Sequence, residues 1–186
     1  MQGPHSGGRH QVYLDHMATT PCLPEIVETM VPFFTEGFHN PQSSHPLGEA
    51  AFAAVQGARE QVAKLIGAAS PREILFTSGA TESDNLALKG VARMYREKGD
   101  HIITLPTEHK AIGDCCKRLE KEGYQVSTLP VKGDGLVDLD ELRNAITDKT
   151  ILISIMAANN EIGVLQPIGE IGKIAHEKGV LFHSDA

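Results

Sequence analysis

Cysteine is scarce in this chain of 186 residues. Three are present, Cys22 alone and Cys115 beside Cys116. Neighbouring cysteines rarely bridge each other, and none stands at a metal-ligand spacing. A disulfide scaffold is therefore not expected, and a reducing, cytoplasmic compartment is. Positive charge is also short: the net charge is -7, from 17 Lys and Arg against 24 Asp and Glu. That balance argues against nucleic acid as a main partner, because phosphate binding needs clustered cations. No apolar run approaches a membrane span, so no membrane partner is expected. Residues 1–11 lack the apolar core of a signal peptide and read as a flexible lead. The three-glycine dinucleotide fingerprint is missing as well. Gly79-Ala80-Thr81-Glu82 holds a single glycine, and no ribose-binding acid follows at the right distance. No internal repeat or low-complexity tract is present.

What is present is ordinary for a globular chain, with 41% hydrophobic and 22% charged residues. Val12 to Asp15 reads as a short strand. Pro24 to Phe34 fits a helix with Ile26, Val27, Met30, Val31 and Phe34 on one face, although Pro32 weakens its last turn. Residues 37–48 form a polar loop, followed by a helix from about Gly48 to Ile66. From Arg72 onward, strands and helices alternate. Strands are expected at 72–78, 101–105, 125–131, 150–157 and 180–184. Helices are expected between them, with Gly99, Gly123 and Gly179 as stops and Asp138 as a cap. Alternation of this kind means α/β: a three-layer, mostly parallel sheet with right-handed crossovers. The domain reading is a lead at 1–11, an N-terminal arm and cleft-mouth loop at 12–48, and a large domain from 49 to 186.

Ligands in such sheets sit beyond the carboxyl ends of strands. Four segments with chemistry lie there. Arg72 to Asn85 reads as strand, glycine turn and helix start, whose free N–H groups suit a phosphate. On spacing alone it is equally an ordinary capped helix. Thr107-Glu108-His109-Lys110 puts an imidazole at a helix start, where a lone histidine is most often a surface cap. No second ligand stands at a helical spacing from it, so no metal is expected. Asn159 and Asn160 follow a very apolar strand and are commonly turn formers. Asp185 ends a buried strand, where an unpaired carboxylate is costly and should meet a cation or strong donors. Together these are the parts a pyridoxal phosphate site needs: a phosphate nest, a flat partner for the ring, and a carboxylate for the ring nitrogen.

The same stretches carry a resemblance. Tyr13-Leu14-Asp15, Ala18-Thr19-Thr20-Pro21, Asn40-Pro41, Phe76 through Asn85, Thr107-Glu108-His109, Asn159 through Gly163, and His183-Ser184-Asp185-Ala186 resemble class V aminotransferase-fold enzymes, and among them the cysteine desulfurases. The likeness covers about residues 12 to 186. It implies the large domain of fold type I pyridoxal-phosphate enzymes, incomplete at its C-terminal end. It implies that Ala80 and Thr81 hold the phosphate and that His109 stacks on the ring and assists proton transfer. It implies that Asn160 bonds the ring oxygen or substrate carboxylate and that Asp185 pairs with the ring nitrogen. The implied reaction moves sulfur from L-cysteine to an enzyme persulfide and releases alanine, for iron-sulfur cluster or thio-cofactor supply. The partners it implies are L-cysteine, a sulfur-acceptor or iron-sulfur scaffold protein, and a second copy in a homodimer. The family's Schiff-base lysine and nucleophilic cysteine would follow Ala186, so this chain alone is expected to be inactive. A selenocysteine lyase, another class V enzyme, and a truncated non-catalytic paralogue stay open as alternatives.

Overall fold

The computed structural model describes residues 12–186, so the expected flexible lead at 1–11 lies outside the described residues. The described chain forms two units, one ending at Phe76 and one running from Thr77 to Ala186.

The first unit contains α1 (Pro24–Thr35) and α2 (Pro46–Ile66). Pro24 opens α1, where its missing N–H costs nothing. The helix also continues past Pro32 to Thr35, since a proline disrupts only the bond to the turn behind it. His45 caps α2 by accepting from the Gly48 amide at 3.2 Å. Gly67 closes it at φ 71°, a left-handed turn that favours glycine.

Two expected strands are absent. Val12 to Asp15 pairs with nothing in a ladder; the Tyr13 hydroxyl instead donates to the Asp15 carbonyl at 2.9 Å. Residues 72–78 form only a single 3-10 turn at Pro71–Glu73 and then an extended run. Strand propensity in Ile74, Leu75 and Phe76 is not sufficient, because a strand exists only with a ladder partner. No described strand lies beside this one, and Leu75 and Phe76 are 65% and 48% exposed. Arg59 takes over part of the pairing. It donates to the Ile74 carbonyl, and its guanidinium lies 5.0 Å over the Phe76 ring.

The second unit alternates as the sequence predicts. Its elements are α3 (Ala80–Met94), β1 (His101–Thr104), α4 (Lys110–Lys121), β2 (Gln125–Thr128), α5 (Leu139–Ala145), β3 (Thr150–Ser154), α6 (Ile168–Glu177) and β4 (Leu181–His183). The four strands are all parallel in the order β2-β1-β3-β4. β1 and β3 are central and buried along their whole length, which fits the apolar runs Ile102-Ile103 and Ile151-Leu152-Ile153 at their middles. Side chains alternate across the sheet except at Ile151, where the β1–β3 register shifts by one residue. Ile102, Ile151 and Leu152 pack with Leu88, Ala92, Ile112 and Leu119 of α3 and α4. Ile103, Ile153 and Ile155 pack with Leu142, Ile171 and Ile174 of α5 and α6. The unit therefore has three layers, helices on both faces of one sheet. Gly99 is required before β1, since a Cβ there would stand 2.2 Å from the Lys149 carbonyl oxygen.

Candidate functional site

The site is built at the carboxyl ends of β1, β3 and β4 and at the start of α3. Gly79 is the N-cap residue of α3, in an extended conformation, and no side chain caps the helix. The sequence suggests a tight glycine turn and caps from Thr81 or Ser83. The structure instead uses the missing side chain: a Cβ on Gly79 would meet nothing within 4 Å, so the helix end stays open. Ser83 turns back to the Thr77 hydroxyl at 2.7 Å. Glu82 accepts from the Ser78 amide and hydroxyl at 2.7 and 2.6 Å, which holds its carboxyl below the usual range. Ala80 and Thr81 are exposed, and no described acceptor takes their N–H groups or the Thr81 hydroxyl. Those are the orphan donors of a helix N-terminus.

The sheet ladder carries Asp185 into place. The Ile155 amide donates to the His183 carbonyl and the Ala157 amide to the Asp185 carbonyl, both at 3.0 Å. This continues the β3–β4 pairing past the end of β4 and sets Asp185 beside Ala157. His109 is the N-cap residue of α4, and its Nδ1 accepts from the Ala111 amide at 3.2 Å. In the neutral ring that leaves the proton on Nε2, a donor rather than a metal ligand. Asp84, on the buried face of α3, completes the group. One side-chain donor or acceptor atom each of Asp84, His109 and Asp185 lies within 4.8 Å of the other two. Sequence spacing around His109 offered no such neighbours; the fold supplies both.

Burial sets the electrostatics. Asp84 is 3% exposed, and burial pushes its carboxyl up, helped by the charge of Asp185 and opposed by His109. His183 Nε2 approaches Asp84 Oδ1 at 3.6 Å, an ion-pair length. Yet burial also pushes the His183 imidazole down, against the pull of Asp185. Both partners are thus driven toward their neutral forms. His183 Nδ1 lies 2.9 Å from the fully buried Ser154 hydroxyl. Glu108 reaches across to the end of β3, accepting from the Met156 amide at 3.0 and 3.1 Å. Burial pushes its carboxyl up to about 7 although that amide pulls it down, and Asp185 and Asp84 add to the rise.

The two asparagines divide their work. The Asn159 side chain accepts from the Glu161 and Ile162 amides at 2.9 and 2.8 Å and donates to the Thr107 carbonyl at 2.6 Å. It folds its own loop and ties it to the turn that bears His109. Asn160 is exposed, and no described group engages its amide. Cys115 and Cys116 are buried in α4, where burial raises both thiols, Cys116 to about 12. They are packing residues, as their place within a helix suggests. A groove of about 390 Å³ lies between α4 and edge strand β2; it includes Glu108 and His109 but neither Asp84 nor Asp185.

Asp84, Glu108, His183 and Ser154 were not among the candidates from sequence. Asp84 had a readable signal. It stands four and eight residues before Leu88 and Ala92, the buried stripe of α3, so a helical wheel puts its carboxyl inside.

Residues 12–186 match the family model described as aminotransferase class-V. The cysteine desulfurase IscS of Rickettsia bellii (strain OSU 85-389) is 57% identical over 175 residues, which are 94% of this chain and 42% of that protein. A solved NifS-like protein superposes with a TM-score of 0.91 at 43% identity, over 95% of this chain and 49% of the other. A structure of SspA in complex with cysteine gives 0.89 at 42% identity, over 94% and 50%. The chain thus spans about two fifths of the length of the curated relatives it matches.

Proposed function

The chain belongs to the aminotransferase class V family, and from that premise we propose that residues 12–186 form the phosphate- and ring-binding part of a pyridoxal-phosphate-dependent cysteine desulfurase. The observation that carries this reading is the meeting of Asp84, His109 and Asp185 within 4.8 Å, at strand ends and near an open helix N-terminus.

The residues fit the cofactor. Free N–H groups at Ala80 and Thr81, and the free Thr81 hydroxyl, suit phosphate oxygens, and the helix dipole favours their charge. No described donor engages the Asp185 carboxylate, which suits a protonated ring nitrogen. Asp185 would hold the proton on that nitrogen. His109 would present its flat ring, fixed by the Ala111 amide, and would exchange a proton at Nε2. The exposed Asn160 amide would donate to the ring oxygen or the substrate carboxylate. When bound, pyridoxal phosphate supplies an electron sink for charge released at the substrate carbon.

The names of the IscS relatives and the cysteine in the SspA structure support L-cysteine as the substrate, its sulfur passing to a protein thiolate with release of alanine. A sulfur-acceptor or scaffold partner, a homodimer and a cytoplasmic setting belong to the same reading. The Schiff-base lysine and nucleophilic cysteine are assigned by resemblance to positions outside these residues. Buried Cys115 and Cys116 do not replace the nucleophile, and the 186-residue chain alone is read as inactive.

Equilibrium dialysis of the purified chain against pyridoxal phosphate and against pyridoxal tests the phosphate nest. Charge-assisted hydrogen bonds to a phosphate should make the phosphorylated form bind at least about tenfold more tightly. Equal uptake of the two, or none of either, contradicts the reading.

A further inference from the structure

The cluster holds one more carboxyl than the proposed roles use. Asp84 Oδ2 is buried with no hydrogen-bond partner, and Oδ1 faces His183 Nε2 at 3.6 Å. Behind His183, the Ser154 hydroxyl meets Nδ1 at 2.9 Å. The titratable groups around Asp84 are His183 and Asp185 from β4 and its extension, Glu108 and His109 from the turn before α4, and Cys115 from α4. The charges acting on the Asp84 carboxyl are those of Asp185 and His109, with no lysine or arginine among them.

Two carboxylates this close, with little water, do not both ionise cheaply. One must keep its charge and the other its proton. Asp185 is the more exposed, and burial is the main cause that raises the Asp84 carboxyl. Deepening the cofactor reading, on which it rests, we propose that Asp84 is a positioning residue: a buried, neutral carboxyl that sets His183 and leaves Asp185 as the anion presented to the cofactor's ring nitrogen. The hydrogen assignments are consistent throughout. The Asp84 hydroxyl faces Nε2 of a neutral imidazole, and the Nδ1 hydrogen is given to Ser154.

Carboxyl ¹³C NMR of aspartate-labelled protein without cofactor tests the protonation directly, with the Asp84 signal assigned by its loss in Asp84→Asn. Asp84 should titrate above the usual carboxylate range. Asp185→Asn should lower that midpoint. A midpoint inside the usual carboxylate range, or one unmoved by Asp185→Asn, overturns the proposal. Pyridoxal phosphate dialysis gives a second arm. Asp84→Asn, which keeps shape without charge, should bind within about threefold of the unchanged protein, and Asp84→Ala at least about tenfold more weakly. Equal losses in both variants overturn the positioning role. A protein that takes up no pyridoxal phosphate at all overturns the functional reading and the ring-positioning role with it, while the NMR midpoint stands or falls by itself.

Discussion

Glu108 is a half-buried carboxylic acid with one strong donor, the Met156 amide, aimed at it. Its upward shift makes it a stability switch with a definite sign. The folded protein binds this proton more tightly than the unfolded chain does. The stabilising contribution is therefore complete below about 4.5 and is lost as pH rises through about 7. Glu108→Gln keeps an acceptor for Met156 and removes the titration. Relative to the unchanged protein, the variant should gain on the order of 2 kcal/mol between about pH 5 and about pH 8, allowing for partial exposure. Urea denaturation at both pH values measures this, and parallel stabilities would contradict it. Such effects were not legible in the sequence. Burial of Glu108 arises from packing against the end of β3, 48 residues away. Asp84 was closer to legible, because its burial follows from helical period alone.

The loop after β3 holds a residue that ties the backbone and an unengaged one side by side. Asn159 satisfies three backbone groups, whereas Asn160 satisfies none among the described residues. Asn159→Ala should cost about 1–3 kcal/mol, because it orphans two amides and a carbonyl. Asn160→Ala should stay within about 0.5 kcal/mol of the unchanged protein, as exposed positions usually do. Urea midpoints of the two variants check this; equal losses would mean that the division of roles is wrong. The residues alone offered both readings, turn former and functional amide, and only the resemblance put the cofactor contact on Asn160; the backbone role of Asn159 had no signal of its own. Element types from Ala80 onward were readable because strand and helix periods differ and glycines mark the stops. Arg72 to Ser78 was misread for a physical reason. Its propensity is that of a strand, but pairing is a property of the neighbours, and none lies alongside it among the described residues.

At the scale of the whole second unit, parallel order β2-β1-β3-β4 brings the ends of β1, β3 and β4 to one edge. Residues 84, 109 and 185 meet there although the chain separates the first and last by 101 positions. The alternation of elements made that edge predictable, and hence the grouping of His109 with Asp185. The presence of Asp84 beneath them required the packed helix. We propose this edge as a pyridoxal phosphate site with Asp185 as the partner of the ring nitrogen. Isothermal titration of pyridoxal phosphate into the unchanged protein and into Asp185→Asn tests it most directly. Loss of a charge-assisted contact should weaken binding at least about tenfold, with the fold intact by circular dichroism. Equal affinity in the two proteins would contradict the assignment.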